Sequence, residues 1–348
     1  MKIDTVYPSS HSVSRRVLNS SSSSRIMIGK YLSYESWGML KFTLPDSLAN
    51  VSIRTAQITL RASYYFLNSA VSLMFDVYPA ARNWQGDSLT LDSLNGGTYH
   101  NQSNLLSQVN VVGDTDYVKF SISDTALVRS WFANIPDTSQ MNNGVVLRPT
   151  SNVVIKGFAS FSSLNPEGFR PKLTVQYTKS AGDTGTVDIF SGSSRFVADI
   201  PYANLVQNPE RIYVQAGVAY NGYVNFISTN PVPSKASIHK AELELVLDQS
   251  SSRLNTLTID SLVTFYVGTS GLDPSIPPVL SDTSLSSGQK VYRFQIQQYV
   301  QRWVRGATGS VALVTYSPIE VLDLFSFYGE NSSKALRPKI IVTYSPTR

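Results

Sequence analysis

The residues of this chain that could do acid–base or nucleophilic chemistry are few and dispersed. His11, His100 and His239 are the three histidines of the 348-residue sequence, and they lie far apart along it. A Ser/His/Asp triad would use one of them as its base, but no Gly-x-Ser-x-Gly elbow supports one. The histidines read as surface residues. A glycosidase needs a positioned pair of acids. Asp87, Asp92, Glu320 and Asp323 are candidates, and nothing in their spacing singles out a pair. The sequence has no cysteine, which excludes disulfides, thiolate metal sites and a cysteine nucleophile. Without a His cluster or an EF-hand loop, no metal site is assigned. Asp114-Thr115-Asp116 could contribute to a surface calcium site, but a polar turn before a strand explains it, since calcium takes six or more oxygens. The expectation is a non-enzyme without catalytic residues, metal or cofactor.

Aromatic residues are the better lead for binding, because sugar rings stack on flat exposed Trp and Tyr faces. Tyr31-Leu32-Ser33-Tyr34-Glu35-Ser36-Trp37 places three large aromatics beside serines in an expected loop. Tyr99, with His100 and Asn101, forms a second group inside a long polar excursion over residues 86–114. Long loops are where function tends to sit. Tyr31, Tyr34, Trp37, Tyr99 and Asn101 are therefore the candidate ligand-binding residues. The competing reading is that these aromatics cover the open end of the fold. Trp131 and Trp303 read as core, and Trp84 as a core plug after a strand.

The elements that must position these residues are strands. Ile53-x-x-Ala56-x-Ile58-x-Leu60 is matched by Ile238-x-x-Ala241-x-Leu243-x-Leu245. Arg170-Pro171-Lys172-Leu173-x-Val175-x-Tyr177 is matched by Arg337-Pro338-Lys339-Ile340-x-Val342-x-Tyr344. Both motifs alternate with period two, the signature of a half-buried strand. They recur in the same order, so the chain reads as a tandem duplication. Leu127, Val128 and Trp131 fall at the spacing of a short helix, as do Tyr299, Val300 and Trp303. Many short strands and one short helical segment per half argue for an all-β chain of two tandem β-sandwich, jelly-roll-like domains. The expected division is a Ser-rich N-terminal arm at 1–30, a first domain at 31–180, a linker at 181–195 and a second domain at 196–348. The arm carries the run Ser20-Ser21-Ser22-Ser23-Ser24 and reads as a flexible tail or as an interrupted edge strand.

Composition bounds the partners. The chain has 42% hydrophobic residues, 19 Tyr and 15 Phe, enough to fill two sheet-based cores. The net charge is +5, but basic residues are scattered, with no run longer than Arg15-Arg16. A nucleic-acid binder concentrates them, so no nucleic-acid partner is expected. No stretch approaches the about 20 apolar residues of a membrane span. The opening Met1-Lys2-Ile3-Asp4-Thr5 lacks the apolar core of a signal peptide. It fits either an excised fragment or a complete protein that reaches its site without a classical signal, as phage structural proteins do.

Several of these motifs together resemble a known family. They are Gly38-x-Leu40-x-Phe42, the Ile53–Leu60 strand, Val77-Tyr78-Pro79 followed by Trp84, the Trp131 helix, Asn142-Asn143-Gly144-Val145-Val146-Leu147, Phe158-x-Ser160 and the closing Arg170–Tyr177 strand. The series is similar to the DNRLRE domain, a β-sandwich module of bacterial secreted and surface proteins, some relatives of which act as carbohydrate-binding modules. The resemblance covers most of residues 36–178 and, more loosely, 220–345. The second copy departs from it, with Thr308-Gly309-Ser310 at the Asn-Asn-Gly turn. The matching positions are core and turn positions, so they bear on fold more than on ligand.

Two functional expectations follow. One is a non-catalytic extracellular or cell-surface protein that binds polysaccharide or acts as a spacer, by stacking and hydrogen bonds on a preformed scaffold. The other is a structural subunit of a virion or extracellular filament, a homo-oligomer whose N-terminal arm adds a strand to a neighbouring subunit. An enzyme would require a clustered acid pair or a His-containing site in the folded chain.

Overall fold

The computed structural model describes residues 1–15, 20–31, 34–48, 51–66, 69–84, 89–131, 142–180, 182–199, 210–217, 220–226, 232–255, 260–307, 309–316 and 320–346. The chain is all-β, with antiparallel pairing throughout the described strands. It opens with β1 (Lys2–Val6) and β2 (Ser10–Arg15). Then come β3 (Arg25–Tyr31), β4 (Tyr34–Lys41), β5 (Ser52–Phe66), β6 (Leu73–Pro79), α1 (Leu91–Asn95), β7 (Ser107–Val111), β8 (Tyr117–Ser121), α2 (Thr125–Arg129), β9 (Val145–Pro149), β10 (Val153–Ala159), β11 (Lys172–Thr178), β12 (Thr184–Phe190) and β13 (Ser193–Asp199). The remainder is β14 (Arg211–Gln215), β15 (Tyr220–Asn225), β16 (Ser237–Val246), β17 (Leu262–Gly268), β18 (Gly271–Leu272), β19 (Val279–Leu280), β20 (Asp282–Ser286), β21 (Gln289–Gln295), α3 (Gln297–Trp303), β22 (Ser310–Thr315), β23 (Leu324–Tyr328) and β24 (Lys339–Ser345).

Two compact units result. One is contiguous, Asn19–Pro201; the other is split, joining Met1–Leu18 to Tyr202–Arg348. This corrects the expected division. The arm at 1–30 is not a tail. Its first part forms β1 and β2 of the split unit, and its last part enters β3 of the contiguous unit. The linker at 181–195 is not a linker either. It forms β12 and opens β13, which pair with β11 and β4 of the contiguous unit. The arm fits the alternative of an interrupted edge strand and not the tail, and the linker reading fails for one physical reason. The exposed positions of both segments, among them Thr5, Ser12, Arg15, Thr184, Thr186 and Asp188, are mostly polar, and composition alone does not distinguish a polar edge strand from a loop.

The duplicated motifs sit in matching registers. Ala56 lies opposite Val175 and Ile58 opposite Leu173; Ala241 lies opposite Val342 and Leu243 opposite Ile340. These inward residues are buried, and period two puts the polar positions between them on the other face. In the contiguous unit, β5 pairs with β11 and β8 along its first part and with β10 along its last, passing from one group of strands to the other. In the split unit, a sheet ordered β1-β24-β16-β21-β20 shares its core with a second sheet containing β17-β22-β15-β14-β23. Leu243, Leu245, Ile340 and Val342 from the first meet Val224, Leu313, Phe325 and Phe327 from the second. The order β6-β9-β4-β3-β10 of the contiguous unit is repeated by β17-β22-β15-β14-β23.

The short helices plug equivalent places. Trp131, just after α2, stacks on Phe42 at 6.2 Å, and Trp303, in α3, stacks on Phe226 at 5.6 Å. Asp124 caps α2 by accepting from the Leu127 N–H at 2.9 Å. The contiguous unit also has a helix that the period-based reading missed, α1, inside the excursion expected to be a loop. Thr90 and Ser93 close a capping box around its first turn, while Leu91 and Leu94 face inward. Gly144 must be glycine: its φ is +77° and a Cβ would lie 1.9 Å from the Leu40 carbonyl oxygen. Among the described residues no helix is long and apolar enough to cross a membrane.

Candidate functional site

The stretch carrying Tyr31, Tyr34 and Trp37 is a β-hairpin, not a loop. Tyr31 closes β3 and lies in register with Tyr34 at the start of β4. Alternation along β4 then sends the side chains to opposite faces, and both faces are covered. Tyr34 is 3% exposed, with its ring 5.4 Å from that of Phe66. Tyr31, half-buried, meets the same Phe66 edge-on. Trp37 is fully buried. It packs among Met39, Trp84, Leu91, Leu94 and Tyr99, so the excursion carrying α1 forms a lid over this face of the sheet.

The structure thus brings together two groups that are more than 60 residues apart in sequence. The His100 ring lies 5.2 Å from Trp37 and 5.3 Å from Tyr78, held by the bridge between His100 and Ala80. The Arg148 guanidinium sits over the Trp37 ring at 5.3 Å, and Arg82 over Tyr99 at 5.0 Å. The Trp37 indole donates to Glu35 at 2.6 Å, and Lys30 pairs with Glu35 at 2.8 Å. The Tyr78 hydroxyl donates to Asp76 at 2.9 Å. His100 is buried, which corrects its reading as a surface residue, and neither ring nitrogen has a hydrogen-bond partner among the described residues. Burial, and then the Arg148 charge, hold its pKa below the ordinary histidine value, so it is neutral at pH 7. Asn101 alone of the five candidates is exposed, and it spends its side-chain carbonyl on the Ser103 N–H at 3.0 Å. As folded, Tyr34, Trp37 and Tyr99 present no free ring face to a sugar. The alternative reading, aromatics covering the open end of the sheet, describes their geometry.

Of the four candidate carboxylates, Asp92 is exposed on α1 of the contiguous unit, Glu320 is half-buried in the split unit, Asp323 of that same unit is buried and accepts from the Asn255 N–H at 2.5 Å, and Asp87 lies outside the described residues. Asp114 and Asp116 sit in an exposed turn. Among the described residues no group of His, Asp and Glu could hold a metal ion.

What sequence reading missed is a seat for a strand pair in the split unit. β24 takes β1, with Lys2 opposite Tyr344 and Val6 opposite Ile340. β15 takes β2, with Ser10 opposite Asn225 and Arg15 opposite Tyr220. Val6 is 6% exposed and is the one residue of this segment in the core cluster. Around it the side chains are polar or cationic. Tyr344 donates to Asp4 at 2.7 Å, the Arg337 guanidinium lies 3.8 Å from the Tyr7 ring centre, and Asn225 donates to Ser10 at 2.9 Å. His11 pairs with Glu330 through Nδ1, while Nε2 lies 3.0 Å from the Arg211 carbonyl. A Cβ on Gly329 would come within 2.6 Å of the His11 ring, so glycine leaves room for it. Arg211 is anchored on Asp248 at 2.8 Å. Burial would raise that carboxyl, but hydrogen bonds from Ser250, Arg211 and Ser251 outweigh it and hold it down to about 2.

No family model matches the chain, and no curated protein matches it. The resemblance to the DNRLRE domain therefore rests on the motif residues alone. Among solved structures, the D431N mutant VP2 protein of infectious bursal disease virus, in derived T=1 particles, aligns over 99% of this chain and 73% of its own, at 12% identity and a TM-score of 0.16. A likeness at that score carries no argument.

Proposed function

We propose that this chain is a non-catalytic structural protein, a β-sandwich building block of a surface, filament or virion assembly outside the cytoplasm. One observation carries the reading. Residues 2–15 form strands whose partners, β15 and β24, lie more than 200 and more than 330 residues further along the chain. Completing a sheet edge with a strand from far along the sequence is the arrangement that strand addition between subunits uses. Burial of Trp37, Tyr34 and Tyr99 weighs against the glycan-receptor reading, which needs open aromatic faces. The test is the mass of the purified full chain by light scattering across a concentration series, with electron microscopy of the concentrated sample. Oligomers or fibres that grow with concentration are expected. A strict monomer at every concentration, together with binding on a glycan array, would overturn the reading in favour of a polysaccharide-binding module.

A further inference from the structure

The two units are completed in the same way but from opposite directions along the chain, each by a segment of two strands that pair with two different partners and not with each other. In the contiguous unit, the body β3–β11 is completed by the segment that follows it: β12 pairs with β11 and β13 pairs with β4. In the split unit, the body β14–β24 is completed by a segment from the start of the sequence: β1 pairs with β24 and β2 pairs with β15. The registers coincide. Ile189 lies opposite Leu173 as Val6 lies opposite Ile340, and Phe196 lies opposite Gly38 as Val13 lies opposite Gly222. The first body takes a two-strand segment adjacent to it in the chain. The second takes an equivalent segment from more than 200 residues away, which a second copy carries as well as the chain itself.

We infer that the seat formed by β24 and β15 is an acceptor for residues 2–15 of a second copy of this chain, and that the copies join head to tail by exchanging this two-strand segment. The segment suits exchange. Val6 is its one residue in the core cluster, Ile3 is 69% exposed, and the rest of its hold is the buried Pro8, the His11–Glu330 pair, the Arg337–Tyr7 contact and backbone pairing. A second copy offers chemically identical strands, so each bond made in the closed chain can be remade between chains. The choice is set by concentration. A tethered segment competes at an effective concentration on the order of millimolar, so a dilute chain closes on itself and a crowded one links to its neighbours. Because donor and acceptor are different surfaces, each linked copy leaves one of each free, and the contact propagates.

This inference rests on the building-block reading, and its test separates the two. The chain has no cysteine, so introduced thiols are unambiguous. Thr5 and Ile341 are register partners on adjacent antiparallel strands, a spacing that accepts a disulfide. Thr5→Cys and Ile341→Cys are made in separate copies, and the two proteins are mixed, unfolded together, refolded over a concentration series and oxidised. A covalent heterodimer linked between residues 5 and 341 is expected, its yield rising towards half-conversion at about millimolar chain. The chain carrying both substitutions should close internally when dilute, and a mixture of Thr5→Cys with Leu285→Cys, which is not a register partner, should stay unlinked. The same experiment with Ile3→Cys and Thr343→Cys repeats the test one pleat away. If the doubly substituted chain closes but the mixed copies never link, the inference fails. If the full chain assembles without any 5–341 link between copies, the inference fails while the building-block reading stands. If copies link on refolding but the native chain never assembles, the acceptor seat stands and the building-block reading fails.

Discussion

The two-strand segments β1–β2 and β12–β13 occupy the same register in two related units, yet they are held very differently. β13 is sewn into its unit. Ser194, Arg195 and Phe196 are all at most 3% exposed. The Phe196 N–H bonds to the Ser20 hydroxyl at 3.1 Å, the Ser194 hydroxyl accepts from the Phe161 N–H at 2.7 Å, and Arg195 donates to the Trp84 carbonyl at 3.1 Å. The strand β2, at the same place in the split unit, buries no residue fully. Its position equivalent to Phe196 is the half-buried Val13. Register is a property of the backbone, and permanence is a property of what the side chains bury. The same pairing can therefore serve as a fixed part of one unit and as an exchangeable part of the other.

The largest expected effect lies where the two segments differ most. Phe196→Ala should destabilise the contiguous unit by about 3–5 kcal/mol, the range for emptying a buried aromatic site. Val13→Ala, at the equivalent position of the split unit, should cost less than about 1 kcal/mol. Denaturant unfolding of both variants decides it, and equal costs would erase the contrast. Asp248→Ala follows at about 3 kcal/mol, because it leaves Arg211 beside the segment β1–β2 without its carboxylate. That loss should appear in the split unit alone. Deleting residues 1–18 comes next. It removes Val6 from the core and should lower the stability of the split unit by about 2 kcal/mol. The contiguous unit should be unaffected, and a synthetic 1–18 peptide should restore the loss. A uniform drop in both units would show that the segment is not confined to the split unit.

The all-β class was legible because Ala56, Ile58 and Leu60, and their counterparts Ala241, Leu243 and Leu245, alternate cleanly, and alternation is a local property. The pairing of residues 2–15 was not legible, because nothing within a short window says which distant edge will take a polar strand. Serine-rich composition then pointed to a tail. The aromatic site was misread for a related reason. Tyr31 to Trp37 has the composition of a binding loop, but Tyr31 and Tyr34 pack on Phe66 and Trp37 under the excursion carrying α1, and all of these contacts are non-local. The Thr90–Ser93 box around Leu91, just before Leu94, was the available signal for that helix, weakened by serine where the usual motif has Glu or Gln.

Acid should separate the two units at different pH values, the smallest effect expected and the finest test of their difference. In the contiguous unit His100 is buried against Trp37 and Tyr78, with Arg148 nearby; the acids bonded to those two rings are engaged there, Asp76 with Tyr78 and Glu35 with Trp37 and Lys30. Its folded pKa is depressed, first by burial and then by Arg148, whereas in the unfolded chain it titrates near 6.5. Below about 6.5 the unfolded state therefore binds the extra proton, and stability falls as pH drops towards the folded value. In the split unit Asp248 titrates at about 2 when folded, against an ordinary value of 3.8. It contributes about 2 kcal/mol above pH 3.8, lost only as pH falls from there towards 2. Trp303 is the one tryptophan of the split unit, so a Trp303→Phe chain reports the contiguous unit by fluorescence. Urea unfolding of that chain should weaken between about pH 7 and pH 5, and adding His100→Phe should flatten the dependence, since the ring is kept and the proton site removed. A contiguous unit equally stable across that interval would mean that His100 finds a partner on protonation, and that the lid over Trp37 does not respond to acid.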